Sequence, residues 1–435
     1  TYLIHPFYLH PKEPQAMKFR IGLLAILSLI LILRGSEAFA QDESKRSPAI
    51  TTGTLSPLKM RSIGPALMSG RIADIAIDAK QPNTWYVAAG SGNLWKTINA
   101  GTTWKPIFER YGSYSIGCIA LDPRDRDTLW VGTGENVGGR HVGYGDGIYV
   151  SHDGGQTFVN KGLKNSEHLS KIIIHPEDSQ TLFVASQGPL WSSGGERGLY
   201  KTTDGGATWR AVLTRGPWTG VTDVVMDPKN PNILFAATHQ RHRTVYGLIN
   251  GGPESGIHKS VDGGETWVEL KSGLPGADKG KMSIAISPQK SNVVYAAIEL
   301  AGPTGGVWRS ENGGQSWTKM SDYVAGGTGP HYYQEIYCDP HRFDVFYHAN
   351  VQLGRTEDGG ATFNSVGNSN KHVDNHAVAF HPSDPDFLLV GCDGGLYRSW
   401  DYAETYQYTA NLPLTQFYKL DVDYDLPFYL SLIHI

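Results

Sequence analysis

Cysteine is nearly absent. Cys118, Cys338 and Cys392 are the only three in 435 residues, too few for a disulfide framework, so stability must come from packing and each thiol is expected to be buried. A basic excess is missing too. Lysine and arginine number 38 against 42 acidic residues, a formal net charge of −4, which leaves no electrostatic footprint for nucleic acid. No cofactor motif stands out. The apolar run Ile21 to Leu33 is shorter than the ~20 residues a spanning helix needs and is closed by Arg34. With a basic start at Met17 to Arg20 and an Ala38-Phe39-Ala40 end, it reads as a secretory signal peptide over 17–40. The expected location is therefore secreted, periplasmic or outer cell surface, with no stable membrane insertion after cleavage. Residues 1–16 fit no part of such a signal and read as translated upstream sequence, and 41–56 as a linker.

What is abundant is turn chemistry. Fifty-two glycines, 24 prolines and 11% aromatics favour an all-β fold. The octapeptide "TTDGGATW" (202–209) returns as "TINAGTTW" (97–104), "SHDGGQTF" (151–158), "SVDGGETW" (260–267), "SENGGQSW" (310–317) and "TEDGGATF" (356–363), with a worn copy "SWDYAETY" (399–406). Seven copies spaced 43 to 58 residues apart mark an array of supersecondary units. Before each copy stand an apolar run ending in Asp-Pro or a variant ("CIALDP", "VVMDP", "VAFHP"), a second apolar run ("TLWVGT", "ILFAAT") and a short third ("GLYK", "GVWR"). Four antiparallel strands per period make a propeller blade. The Asp or Asn of each copy, Asn99, Asp153, Asp204, Asp262, Asn312, Asp358 and Asp401, is read as structural: a catalytic acid is needed once or twice, not at every copy, and an amide at 99 and 312 can cap a turn but not ionise. Calcium is a poor alternative, because one carboxylate per turn falls well short of the 6 to 8 oxygens it takes.

This pattern resembles the Asp-box, or BNR repeat, of sialidases, two-propeller xyloglucanases and the sortilin (VPS10) propeller. "GGRHVGYGDGIYVSHDGGQTF" and "CDGGLYRSW" look most like secreted bacterial proteins labelled sortilin-like or glycosyl-hydrolase BNR-repeat. The resemblance covers 57–410 and implies a β-propeller, either seven blades closed by "KMRSIG" or the first part of a larger ring such as a ten-bladed one. Residues 411–429 start an eighth repeat, while 430–435, "LSLIHI", read as an artefactual tail of a truncated chain whose remainder is missing.

Strand direction places the octapeptides on one face and the long connections 134–147, 186–198 and 238–256 on the other, where function is expected. Candidate ligand-binding residues there are Arg71, Arg140, His141, Tyr144, Arg241, Arg243, Tyr246, His331, His372 and His376. Candidate catalytic groups are Asp374, Glu335, Tyr333 and Asp223. His372, Asp374 and His376 share one face of a regular strand, as a hydrogen-bonded ladder, a partial metal site or a ligand-orienting set. A tyrosine beside a glutamate, as at 333 and 335, is the arrangement sialidases use. Their Arg-Ile-Pro motif is matched here only by Arg71-Ile72, without the proline. Two readings follow: a propeller recognising a glycan or peptide on the long-loop face, and, as the alternative, a glycoside hydrolase using carboxylates at the channel mouth.

Overall fold

The computed structural model describes residues 70–301, 304–323, 335–367 and 370–415, with the backbone of strands Phe417–Val422 and Leu430–His434. The expected signal peptide, linker, "KMRSIG" stretch, His331 and Tyr333 lie outside the described residues.

Seven antiparallel sheets follow one another along the chain, each ordered as it is written, from an innermost to an outermost strand. The innermost strands are Ile72–Ile77, Ile116–Leu121, Leu169–His175, Thr219–Asp227, Lys279–Ile286, Glu335–Cys338 and Asn375–Phe380, and they define blades 1 to 7. Blade 4 adds a fifth short strand, Leu248–Asn250. The ring closes at seven: blade 7 packs its Phe387 and Leu389 with Trp85 and Val87 of blade 1 in one core cluster. Gly391 is needed at that junction, since a Cβ would lie 2.6 Å from the Ile72 side chain. The ten-bladed alternative is thereby set aside. Beyond blade 7, Phe417–Val422 pairs antiparallel with Leu430–His434.

Each octapeptide is a self-capped turn. The Thr202 hydroxyl donates to Asp204 Oδ1 (2.6 Å) and accepts from Gly206 N (3.1 Å). Asp204 then accepts Thr208 N (2.9 Å) and the Thr208 hydroxyl (2.6 Å), and the Thr202 bond together with these two holds its pKa down to about 2. Gly206 takes φ +77°, and a Cβ there would meet Trp130 of the previous blade at 3.0 Å. The same bonds recur at Asp153, Asp262, Asp358 and Asp401. At Asn99 and Asn312 the side-chain amide donates to the hydroxyl of residue 103 or 316 instead. Trp209 reaches back to blade 2, its indole N–H donating to Lys161 O at 2.7 Å.

The residue just before the octapeptide joins the blades. Lys96, Lys201 and Lys259 donate to the carbonyls of Gly154, Gly263 and Gly313, each in the next blade's octapeptide, at 2.6 to 2.7 Å. Arg355 reaches Tyr402 O, and Arg398 closes the ring on Ala100 O. Arg309 pairs with Asp344 in the next blade's first turn. Blade 2 has the buried Val150 there instead. The first turns have their own caps: Asp78, Asp122, Asp227 and Asp339 accept backbone N–H groups two or three residues on. His175 and His381 do the same through Nδ1.

Replacing Arg355, which also pairs with Glu404 and lies 4.1 Å over the Tyr402 ring, with alanine should cost about 2 kcal/mol in urea unfolding, and Arg355→Lys about half that.

Candidate active site

On the long-loop face the channel mouth is organised by one guanidinium. Arg71, at the approach to blade 1's innermost strand, donates through Nη1 to Glu135 Oε1 (2.6 Å) and through Nε and Nη2 to both oxygens of Asp393 (2.6 and 3.3 Å). His141 Nε2 lies 3.0 Å from the same Nη1. His376, fully buried on blade 7's innermost strand, bonds Asp393 Oδ1 through Nε2 at 2.6 Å. Burial alone would raise the Asp393 carboxyl, but the His376 bond and the Arg71 charge overcome it and hold Asp393 well below the ordinary carboxylate range. Asp374 behaves oppositely: burial, then the nearby Asp393 charge, raise it. The two are tied by backbone, Asp393 N donating to Asp374 O at 3.1 Å. Burial and the Arg71 charge lower the pKa of His141, favouring its neutral form.

Below this mouth the loop 134–147 crosses the ring. Asn136 donates to Glu335 Oε1 of blade 6 at 3.1 Å and accepts from Gln187 of blade 3. A separate chamber of about 360 Å³ opens toward the octapeptide face, with Lys171 and Asp223 set among apolar walls that include Ile173, Val225, Ile284 and Phe380. Burial pushes the Glu335 carboxyl up against the pull of Lys171 and Lys281.

Several sequence expectations are corrected here. Asp223 is a seam group: its Oδ2 accepts the Ser283 hydroxyl and Ile284 N of blade 5, both at 2.9 Å, as Asp74 accepts Ile119 N of blade 2. Glu335 faces Asn136, Tyr337 and Lys171 inside the channel rather than the mouth. The run from His372 to His376 is not one regular strand. The strand begins at Asn375, and Asp374 sits at φ +61°, which breaks the alternation. His376 therefore pairs with Asp393 instead of Asp374, and the His372 ring bonds its neighbour's carbonyl at Val373. No group of three or more possible metal ligands is found among the described residues.

Arg241 and Arg243 are buried on the long strand Asn230–Arg243, not at a loop tip. Arg241 donates to Val137 O and Gly188 O, and Arg243 to Gly138 O. Burial lowers the Arg241 value to about 9. Arg140 is exposed and donates to Val245 O at 3.4 Å. Tyr144 and Tyr246 are exposed by 54% and 97%. Trp218 stacks on His242, ring centroids 3.7 Å apart. Glu135 and Asp393 were not singled out from the sequence. Glu135 lies in the longest insertion of blade 2, and Asp393 in the tight link between blade 7's second and third strands, one residue after the "VGC" run. An acid in that link, where blade 1 has glycine and serine, was the available signal.

Arg71→Ala would leave Glu135 and Asp393 facing each other without a cation. The expected loss is about 3–5 kcal/mol in denaturant unfolding at neutral pH.

The Sortilin-Vps10 family model (sortilin, neurotensin receptor 3) matches residues 146–300. A xyloglucanase of Paenibacillus sp is 24% identical over 262 residues, covering 54% of this chain and 24% of that protein. One of Acetivibrio thermocellus is 24% identical over 268 residues, covering 54% and 29%. The match thus spans about a quarter of these relatives' own length. Among solved structures, the GH74 xyloglucanase of Xanthomonas campestris aligns with a TM-score of 0.64 at 15% identity, over 86% of this chain and 59% of that one. The GH74 enzyme of Niastella koreensis aligns at 0.58 and 19%, over 83% and 57%. The chain is a seven-bladed β-propeller similar in fold to propellers of GH74 enzymes, with a sortilin/Vps10-like stretch running from blade 2 to blade 5.

Proposed function

We propose that this propeller is a glycoside hydrolase module that cleaves an extracellular polysaccharide at the mouth on its long-loop face. The observation that carries the reading is the pair Asp374 and Asp393, neighbouring carboxyls whose surroundings push their acidities in opposite directions. Glycoside hydrolysis asks for such a division of labour: a protonated acid to donate to the leaving oxygen, and an ionised carboxylate to attack the anomeric carbon or activate water. Asp374 takes the first role. Asp393, kept charged by Arg71 and His376, takes the second. Glu135 and His141 position Arg71. The xyloglucanase relatives support the same reaction class and make xyloglucan the first substrate to test. Export of the chain, expected from residues 17–40, fits a substrate outside the cell. Glycan recognition on this face becomes the binding step of that reaction.

Reducing-end release from xyloglucan and other β-glucans, followed against pH, tests the assignment. Asp393→Asn should lower kcat by roughly 10³-fold and Asp374→Asn by roughly 10²-fold. The acid works only when protonated, so the parent rate should fall as pH rises through the raised Asp374 value, and that alkaline limb should vanish in Asp374→Asn. Absence of product from every β-glucan, or rates indifferent to both substitutions, would overturn the reading.

A further inference from the structure

Asn375 stands where other blades are apolar. On the innermost strands of blades 1 to 5, the residues opposite Ala89, Thr133, Ser186, Thr238 and Ile298 are Ile72, Ile116, Leu169, Val221 and Met282. All five are fully buried. In blade 7 the same register, counted from the strand pairing that leads into the octapeptide, puts Asn375 opposite Cys392, and it is fully buried too. A carboxamide in a core slot is costly unless its hydrogen bonds are made. Here they are: Nδ2 donates to Asn350 O (3.0 Å) and Val351 O (3.2 Å), and Oδ1 accepts from Lys371 Nζ. Both carbonyls belong to the link between blade 6's second and third strands.

The backbone joins the same hook. Asn375 N donates to Asn350 O at 2.7 Å and Asp374 N to Val351 O at 2.8 Å, while Asp374 O accepts Asp393 N at 3.1 Å. Asp374 is thus clamped between a link of blade 6 and a link of blade 7, half-buried and at φ +61°. Residues other than glycine seldom use that region, and they persist there where the surroundings over-determine them. Without the hook, residue 374 falls back to the extended backbone on which side chains alternate, and its carboxyl leaves Asp393 for water. Burial and then the Asp393 charge raise the Asp374 carboxyl, against the His372, Arg71 and Lys371 charges, which lower it. Both raising causes depend on where the clamp holds the group. We infer that Asn375 is a positioning residue, whose carboxamide holds Asp374 in the left-handed conformation that keeps its carboxyl half-buried beside Asp393. The part played by Asp374 in turnover rests on the hydrolase reading; its placement by Asn375 rests on these hydrogen bonds alone.

Asn375→Leu gives blade 7 the kind of side chain that blades 1 to 5 carry, so it should fold with a melting temperature close to the parent's. Lys371→Met/Asn375→Leu, which also removes the ammonium left without that acceptor, is the second variant. Two measurements on the full-length proteins test the inference: the titration of the Asp374 carboxyl, by carbon NMR of protein labelled in its aspartates and assigned with Asp374→Asn, and kcat and KM on xyloglucan against pH. Asp374 should titrate above an ordinary aspartate in the parent and close to one in both variants. The variants' kcat should be roughly 10- to 100-fold lower, with KM within about twofold. The alkaline limb of kcat should move to lower pH, because an acid of lower pKa loses its proton sooner. An Asn375-dependent titration in a parent protein that turns nothing over would support the positioning and remove the hydrolase reading. Turnover with a titration and pH profile indifferent to Asn375→Leu would do the reverse. A variant slowed without any change in titration or pH profile, or failure of both variants to fold, would overturn the positioning, since the carboxamide would then hold the ring and not the acid.

Discussion

A cation reaching from one blade into the next turn is the contact on which this molecule depends. Each sheet alone has two faces to cover and a short outermost strand, often of two residues, that could not stand by itself. The lysine or arginine ahead of five of the seven octapeptides binds a carbonyl of the next turn, and for Lys96, Lys201 and Lys259 that carbonyl belongs to a glycine at positive φ. Its ammonium also lies over an aromatic ring, as Lys201 does over Phe183 and Lys259 over Phe235, each 5.4 Å from the centroid. The acid of the octapeptide has a humbler part: it shapes the turn whose carbonyls the cation needs. The seam from blade 7 to blade 1 uses the same device, so ring closure needs no special lock.

At the mouth charge is used differently. Two buried arginines of the long-loop face serve as backbone glue: Arg197 donates to the carbonyls of residues 187, 189, 192 and 194, and Arg241 to those of 137 and 188. Such guanidiniums fill their donors without a carboxylate and fix loops that would otherwise move. Arg71 instead faces two acids, and it does so where blade 7 meets blade 1. The ring junction and the carboxylate cluster are therefore one place, and closure of the ring assembles that cluster. That fits the general placing of reactive groups at loop ends carried by a rigid scaffold.

Repetition made the fold readable. A period of about fifty residues, an alternation of apolar runs with turn residues, and an acid that recurs too often to be catalytic all follow from local chemistry, which one copy of the repeat already contains. Even the seam cations stand in register in "WKT", "YKT", "HKS", "WRS", "GRT" and "YRS". Of the residues gathered around the Arg71 guanidinium, the chain order pointed to Arg71, His141, Asp374 and His376 as candidates, since those residues lie at strand approaches or in a long insertion. Asp223 shows why the rest was not: an innermost-strand carboxylate looks the same in sequence whether it caps a neighbouring blade's N–H, as it does here, or faces solvent.

What the chain order by itself determined is the blade, its turns and the face that carries the long loops, because each depends on residues a few positions apart. Only the tertiary structure decided that Asp393 stands 322 residues from Arg71 yet bonds it, that Asn136 crosses to Glu335, and that Arg241 is buried rather than offered to a ligand. Those pairings depend on how many blades close the circle and at what angle each loop leaves it, quantities set by the packing of all seven sheets together and by no single stretch of sequence.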